Sequence, residues 1–97
     1  MKLIWDAKKH ASNLVKNGVD FASVERFQWK TALSAEDIRR DYGETRYQVI
    51  GYAGGVLHVL IYTPRGNSIR AISLRKATPK ERIRYAQAQK QADPSAT

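Results

Sequence analysis

The chain has 97 residues, a formal net charge of +8 and no cysteine. This length allows one domain with one modest core, and the lack of cysteine excludes disulfides and thiolate metal sites. Two histidines, His10 and His58, are too few and too far apart to predict a zinc or catalytic cluster. No apolar run is long enough for a membrane span or a signal peptide. We therefore expect a cytoplasmic protein with no metal, no cofactor and no membrane partner.

Positive charge is concentrated in the second half of the sequence. Residues 45–97 contain nine Lys/Arg and two Asp/Glu, whereas residues 1–44 contain eight and seven. A surface with such a field attracts polyanions. The expected partner is therefore a nucleic acid, an acidic protein or both, and solubility alone is the simpler alternative.

Two helices are predicted in the first third of the chain. Asp6 can cap the first helix, and Gly18 can end it in the left-handed conformation. Asp20 can cap a second, shorter helix over residues 21–27. The predicted inward stripe of the first helix is Ala7, Ala11, Leu14 and Val15, and that of the second is Phe21, Val24 and Phe27. Trp5 and Trp29 are expected to pack in or beside the core.

The next segment carries weaker signals. A short strand is expected near residues 31–33. Residues 34–41 contain three acids and two arginines, and predict an exposed loop or an irregular edge strand.

Three consecutive strands are predicted over residues 43–77, because β-branched and aromatic residues dominate this segment and Gly, Pro and Asn clusters interrupt it. Gly54-Gly55 predicts a two-residue hairpin turn, since glycine accepts the positive φ that such a turn needs. That turn places Ala53 opposite Val56.

The second turn is predicted as a four-residue loop over residues 64–67, which places Ile61 opposite Arg70. The resulting core face consists of Ile50, Tyr52, Leu57, Val59, Ile61, Ile72 and Leu74. Arg46 and Arg70 then lie at the end of this face, while Arg75 lies on the opposite one. A bulge or a five-residue loop would move Arg75 to the first face, and the sequence leaves this alternative open.

The C-terminal part of the domain is predicted as a helix over residues 79–91. Thr78, Pro79 and Glu81 form the pattern of a capping box with proline at the first helical position. Ile83 and Ala86, with Tyr85 and Gln87 as further candidates, are expected to face inward. Residues 1–91 thus form one α+β domain, and residues 92–97 are expected to be a disordered tail.

Several short motifs occur in a fixed order from Trp5 to Tyr85. They are Trp5-Asp6, Lys16-Asn17-Gly18-Val19, Gly43-Glu44-Thr45-Arg46-Tyr47, Tyr62-Thr63-Pro64-Arg65-Gly66, Ile69-Arg70-Ala71-Ile72-Ser73-Leu74-Arg75-Lys76-Ala77 and Glu81-Arg82. Together they resemble the BrnT toxins of bacterial type II toxin–antitoxin systems. The resemblance covers most of the chain.

The resemblance implies a RelE-like α+β fold with two N-terminal helices, an antiparallel sheet of three or four strands and a C-terminal helix. It implies an RNA-cleaving growth inhibitor whose substrate is RNA. It also implies a cognate BrnA-like antitoxin, which binds promoter DNA through a ribbon-helix-helix region, so that the toxin meets promoter DNA only through the antitoxin. The family usually has a histidine where this chain has Asn17, and an amide does not exchange protons near neutral pH.

Metal-independent RNA cleavage uses the 2′-OH as nucleophile and needs positive charge around the phosphate. Arg75 and Arg46 are the first candidates to supply it, followed by Arg65. Glu44 is a candidate base or the residue that holds Arg46, and Lys16 is a candidate acid or charge stabiliser. The further candidates for binding RNA are Arg70, Lys76, Tyr47 and Tyr62.

These residues also have structural interpretations. Glu44 and Arg46 are equally typical of a surface ion pair, and Arg65 of ordinary turn polarity. His58 is more typical of a sheet histidine with a hydrogen-bond partner than of a catalyst. Two functions therefore remain open: a metal-independent endoribonuclease toxin, and a non-catalytic RNA- or protein-binding homologue of one.

Overall fold

The computed structural model describes residues 2–92, which form a five-stranded sheet with helices on its faces. The elements are β1 (Lys2–Trp5), α1 (Ala7–Asn17), 3-10 helices at Phe21–Arg26 and Trp29–Thr31, β2 (Leu33–Glu36), β3 (Tyr47–Ala53), β4 (Val56–Arg65), β5 (Ser68–Lys76) and α2 (Pro79–Ala92). The strand order is β1-β5-β4-β3-β2. No helix in this part of the chain is long and apolar enough to cross a membrane. Most of the predicted tail, residues 93–97, lies outside the described residues.

The α+β class is confirmed, but the predicted sheet of three or four antiparallel strands is too small. β2 adds an antiparallel edge strand beyond β3, and β1 adds a parallel strand beside β5. β1 was missed because four residues directly before a helix cap contain too short a pattern to predict a strand. The strand predicted near residues 31–33 lies later in the chain, because β2 begins at Leu33 and ends at Glu36.

The first hairpin forms as predicted. Gly54 and Gly55 have φ values of 61° and 80°, and Ala53 lies opposite Val56. The register continues without interruption to Tyr47 opposite Tyr62.

The predicted second turn is wrong. β4 continues through Pro64, and Arg65 pairs with Ser68 across a two-residue turn at Gly66-Asn67. Proline is tolerated in β4 at this point because β3 begins only at Tyr47, opposite Tyr62, so that no neighbouring strand needs the N–H that proline lacks.

A bulge in β5 corrects the predicted facing of Arg75. Tyr62 pairs with Ala71, but Ile61 pairs with Ser73, so Ile72 is the extra residue. A bulge of one residue reverses the facing of every later position in the strand. Arg75 therefore lies opposite Val59, on the same face as Ile61 and Arg70.

The larger core lies on the sheet face opposite the predicted core face. It consists of Val19, Phe21, Val24, Phe27, Val49, Ala53, Leu60, Ile69, Ala71 and Leu74. A smaller core on the other face joins Ile50, Leu57 and Val59 to Ala77 and Tyr85. The prediction of a single core face was wrong because each face of the sheet carries a core. Strands that are buried on both faces lose the alternation of apolar and polar residues from which one buried face is predicted.

The predicted inward stripe of α1 is also wrong, although Asp6 and Gly18 cap this helix as expected. Leu14 is 40% exposed and Val15 is 89% exposed, and the buried residue of the helix is Asn13. Ala7 and Ala11 are exposed as well. The reason is that α1 lies along the edge of β5 beyond the end of β1, so its contacts there are hydrogen bonds to backbone.

The second predicted helix is a 3-10 helix capped by Asp20, and its three predicted core residues are buried.

In α2 the capping box is confirmed: Thr78 N donates to Glu81 Oε1 at 2.8 Å, and Glu81 N donates to Thr78 Oγ1 at 3.2 Å. Tyr85 is buried as expected, whereas Ile83 is 59% exposed. Ala86 and Gln87, also expected to face inward, are exposed. The inward face of α2 follows Glu81 and Tyr85, because Glu81 is anchored to Arg75.

Candidate functional site

Two depressions meet at the bulged part of β5. The first, which we call the α1 groove, has a volume of about 600 Å³ and is lined by Lys8, Lys9, Ser12, Asn13, Lys16, Asn17, Ile72, Ser73 and Arg75. The second, which we call the loop pocket, has a volume of about 210 Å³ and is lined by Asp37, Arg39, Tyr42, Arg46, Gln48, Ile61, Ile72, Ser73 and Arg75. They share Ile72, Ser73 and Arg75, so the bulge and the residues after it form the boundary between them.

Arg75 is held in this position by Glu81. Its two terminal nitrogens lie 2.7 and 2.8 Å from the two carboxylate oxygens, a bidentate ion pair. The guanidinium group of Arg75 is the main reason why the pKa of Glu81 falls to about 2. Burial opposes this shift, and the N–H of Thr78 adds to it. The same ion pair raises the pKa of Arg75. Because the carboxylate occupies only part of the guanidinium, other N–H groups of Arg75 can donate to a ligand.

Arg46, which also lines the loop pocket, is held by one hydrogen bond and one aromatic contact. Its Nε donates to Glu44 Oε2 at 3.0 Å, and its guanidinium carbon lies 4.2 Å from the centre of the Tyr42 ring. Glu44 also accepts a longer hydrogen bond, 3.5 Å, from the exposed Arg65. Glu44 therefore lies behind Arg46 and does not line the pocket.

The third arginine, Arg39, belongs to the segment of residues 34–41, which was predicted as an exposed loop or an irregular edge strand and forms the end of β2 followed by a loop. Nε and one terminal nitrogen of Arg39 each lie 2.8 Å from a carboxylate oxygen of Asp37. This ion pair holds the pKa of Asp37 far below its usual range. Tyr42 donates to the same carboxylate at 3.1 Å, and Asp37 N donates to the carbonyl of Arg46 at 2.8 Å. These bonds close residues 37–46 into a fixed loop. The sequence signal for this loop is only an acid two residues before an arginine.

The α1 groove has a different electrostatic character. Lys8, Lys9, Lys16 and Arg75 line it, and among residues 2–92 no carboxylate does. Four arginines of the second half of the chain, by contrast, pair with acids: Arg46 and Arg65 with Glu44, Arg70 with Asp6 and Arg75 with Glu81. The positive charge of the α1 groove therefore comes mostly from lysines of the first half, although the sequence places most of the net charge in the second.

The sequence profile of the family described as "Ribonuclease toxin, BrnT, of type II toxin-antitoxin system" matches residues 5–81. The chain belongs to the BrnT family. The resemblance inferred from the motifs is thereby confirmed, and a toxin of a type II system has a protein antitoxin as its partner. No individually curated protein matches the chain.

In this BrnT chain, two asparagines of α1 bind the edge of β5 where β1 has ended. Asn13 Nδ2 donates to the Leu74 carbonyl at 2.9 Å, and Leu74 N donates to Asn13 Oδ1 at 3.0 Å. Asn17 Nδ2 donates to Asn13 Oδ1 at 2.8 Å and to the Leu74 carbonyl at 3.2 Å. Asn13 thus pairs with β5 as a neighbouring strand would, and Asn17 stands in the same groove as Arg75.

Among the other residues expected in a BrnT site, Lys16 and Arg46 each share a depression with Arg75, and the rest line neither. Arg65 lies at the second hairpin, Arg70 contacts Asp6 at 3.4 Å, and Lys76 is exposed opposite His58. Tyr47 and Tyr62 lie on the face of the larger core, with ring centres 5.6 Å apart, and burial raises the pKa of Tyr62. As expected, His58 is bonded within the sheet, its Nδ1 lying 2.7 Å from the Val56 carbonyl oxygen.

Proposed function

We propose that this BrnT chain is an endoribonuclease that cleaves RNA without a metal ion, at the boundary between the α1 groove and the loop pocket. The observation that carries the proposal is the position of Arg75. It lines both depressions and is fixed by a bidentate contact with Glu81. A preoriented guanidinium stabilises charge that develops on a phosphate without reorganising during the reaction.

The reaction is attack of a ribose 2′-oxygen on the adjacent phosphorus. A bond forms between the 2′-oxygen and phosphorus while the 2′-OH proton passes to water, and the bond to the 5′-oxygen breaks. Protonation of that oxygen completes the products, a 2′,3′-cyclic phosphate and a 5′-OH. Arg75 and Arg46 are assigned to the non-bridging phosphate oxygens, where negative charge accumulates. Lys16, whose ammonium lines the α1 groove, is assigned to the charge or the proton on the leaving 5′-oxygen.

The acid beside Arg46 is assigned to holding that arginine in place. Glu44 accepts hydrogen bonds from both Arg46 and Arg65, so it would have to release an arginine to accept the 2′-OH proton. We assign it to positioning Arg46, with Arg65 as a further contact to the RNA backbone. Arg70, Lys76, Tyr47 and Tyr62 lie outside the two depressions, and of these only the cations can reach RNA that extends beyond the cleavage site.

The α1 groove is assigned to the phosphates of the RNA strand next to the cleaved bond, since its lysines meet no lining carboxylate. Loss of RNA would then inhibit translation and growth. A BrnA-like antitoxin, which carries a ribbon-helix-helix region, would neutralise the toxin by covering this basic surface and would alone contact promoter DNA. The meander β3–β5 followed by α2 supports the relation to RelE that the motifs imply.

Asn17 favours a second candidate, a homologue that binds RNA but does not cut it. The family usually has a histidine at this position, whereas here both hydrogen bonds of the Asn17 amide nitrogen go to Asn13 and the edge of β5. If that histidine transfers a proton in the family, the groove of this chain lacks the group that does so.

The deciding experiment incubates the purified toxin, free of antitoxin, with naked RNA in EDTA and identifies the fragment ends. We expect 2′,3′-cyclic phosphate and 5′-OH ends, and a loss of at least about a hundredfold in rate for Arg75→Ala, comparable to the loss of one oxyanion donor in other enzymes. Arg75→Lys keeps a positive charge beside Glu81 but cannot bind phosphate through two nitrogens, so it is expected to be folded and nearly inactive.

Arg84→Ala is the matched control, because Arg84 is exposed on α2 and lines neither depression. Equal losses in the Arg84 and Arg75 variants would contradict the assignment of Arg75. Cleavage by Asn17→His but not by the natural chain would establish the binding homologue, and cleavage only when translating ribosomes are added would replace naked RNA by the ribosomal complex as the substrate.

A further inference from the structure

We propose that the loop pocket binds one unpaired nucleobase of the RNA and that Gln48 selects it, an inference that rests on the proposed ribonuclease function. The pocket and the α1 groove adjoin at Arg75, which lines both. An RNA strand whose phosphate contacts Arg75 can therefore place its backbone in the groove and an adjacent base in the pocket.

The size and lining of the loop pocket suit a single base. Its volume of about 210 Å³ is too small for folded RNA and large enough for one planar ring system. Ile61 and Ile72 supply apolar contact surface, Tyr42 supplies an aromatic ring, and Gln48 and Ser73 supply polar groups. Proteins read unpaired RNA bases with this combination of an aromatic ring and hydrogen-bonding side chains.

The electrostatics of the pocket favour a neutral ligand over a second phosphate. Each of its three arginines is matched by one carboxylate: Arg39 by Asp37, Arg46 by Glu44 and Arg75 by Glu81. With Arg46 and Arg75 assigned to the scissile phosphate, little positive charge remains there for another one. Lysines line the α1 groove, and within residues 2–92 no carboxylate does. Beyond the cleaved bond, the two depressions therefore differ in what they recognise, with further phosphates in the groove and a neutral base in the pocket.

Tyr42 is held rigidly enough to act as a stacking surface. Its hydroxyl donates to Asp37 Oδ2 at 3.1 Å, and the guanidinium of Arg46 lies over its ring at 4.2 Å. A ring fixed at its hydroxyl and on one face loses little further entropy when a base packs in the pocket.

Gln48 is the side chain suited to distinguish one base from another. The side-chain hydrogen bonds found within residues 2–92 at this pocket involve the three arginines, their acids and Tyr42. They leave the amide of Gln48 with a donor and an acceptor side by side. This pair matches the amino group and ring nitrogen of adenine, the usual partner of glutamine. The expected ligand is therefore adenine next to the cleaved bond.

The test uses four short RNA oligonucleotides that differ in one base beside a single cleavage site. We expect the natural chain to cleave the adenine substrate at least about tenfold faster, in kcat/KM, than the others, as one bidentate base contact provides. Gln48→Leu preserves size and removes both hydrogen-bonding groups, and is expected to cleave all four at similar rates. Gln87→Leu makes the same change at an exposed position on α2 and is expected to keep the preference.

An equal loss of rate on all four substrates in Gln48→Leu, with the adenine preference unchanged, would show a structural role only and would overturn the proposal. Binding of the same oligonucleotides carrying 2′-O-methyl groups, which cannot be cleaved by this route, separates this inference from the nuclease. Base-dependent binding that Gln48→Leu removes, without any cleavage of the natural RNA, would retain the base site and reject the nuclease. If the natural chain cleaves the RNA without a base preference, or if Gln48→Leu keeps the preference, the nuclease is retained and the base site is rejected.

Discussion

Glu81 shows how one side chain serves two parts of this toxin. It completes the capping box of α2 through Thr78, and it holds Arg75 through two short hydrogen bonds. The start of the last helix and the proposed catalytic arginine are therefore fixed by the same carboxylate. A substitution of Glu81 would loosen both, whereas Thr78→Ala would remove one capping bond and leave the ion pair.

The depressed pKa of Glu81 predicts a specific acid dependence of stability. The folded-state pKa is about 2, below the usual value of 4.5, so the stabilisation is complete above about pH 4.5 and is lost as the pH falls towards 2. Its size is at most about 3 kcal/mol, and is reduced because solvent reaches Arg75. The free energy of unfolding in urea should be higher for the natural chain than for Glu81→Gln, and this difference should become smaller as the pH falls over this range. A constant difference from pH 6 to pH 2 would show that the ion pair does not contribute in this manner.

At the level of single residues, the sequence predicted the local part of the site and missed the rest. The capping box is contained in four consecutive residues, so it could be identified from the pattern alone. Arg39 and Gln48 gave no comparable signal, because they join the pocket only through the folded loop of residues 37–46 and the pairing of β3 with β4. Arg75 was the first candidate from the sequence, but which face it occupies depends on the bulge at Ile72, for which the sequence has no marker.

Among the elements, α1 has the most unusual environment. It continues from β1 along the edge of β5, and Asn13 makes the backbone hydrogen bonds there that a further strand would make. This arrangement protects an otherwise open sheet edge beside Arg75 and the site. It also explains why the apolar spacing of α1 was misleading, since a helix beside a sheet edge needs a polar group at the contact.

Asn13→Ala is therefore predicted to destabilise the fold by about 1–3 kcal/mol, because it leaves the buried N–H of Leu74 without its partner, whereas the Leu74 carbonyl keeps its hydrogen bond from Asn17. Val15→Ala is predicted to change the free energy of unfolding by less than about 0.5 kcal/mol, since Val15 is 89% exposed. Chemical denaturation of the two variants measures both values. The opposite order, with Val15 the costlier position, is what the helical pattern alone predicts and would contradict the structure.

The two hairpins show which strand registers can be predicted. The first followed from the two consecutive glycines at its turn, whose positive φ fixed the pairing from Ala53 to Tyr47. In the second, Pro64 is a common turn residue but here belongs to β4, and the two-residue turn together with the bulge shifted the register. Tertiary pairing, which places Pro64 beyond the start of β3, decided its conformation.

For the molecule as a whole, the distribution of net charge along the sequence differs from that on the surface. Acids neutralise several arginines of the second half, and the groove without acids is lined mainly by lysines of α1. RNA affinity is therefore expected to depend on α1 more than on α2, although both helices carry several exposed cations.

This expectation is tested by two triple variants with the same net charge. Lys8, Lys9 and Lys16 are replaced by alanine in the first, and Arg82, Arg84 and Lys90 in the second. The slope of log affinity for single-stranded RNA against log salt concentration should fall by about 2 in the first variant, since each phosphate contact contributes about 0.7. The second should have nearly the natural slope. Equal slopes in the two variants would mean that net charge, and not the groove, attracts the RNA.

The parallel pairing of β1 with β5 has a consequence for the order in which the toxin matures on the ribosome. Lys2–Trp5 emerge from the ribosome before their partners, residues 68–71, so β1 stays unpaired until β5 has been made. Arg75 and the Glu81 that orients it emerge later still. Nascent chains that end before Glu81 therefore lack the proposed active site, and β1, α1 and the loop of residues 37–46 wait for the later elements before that site can form.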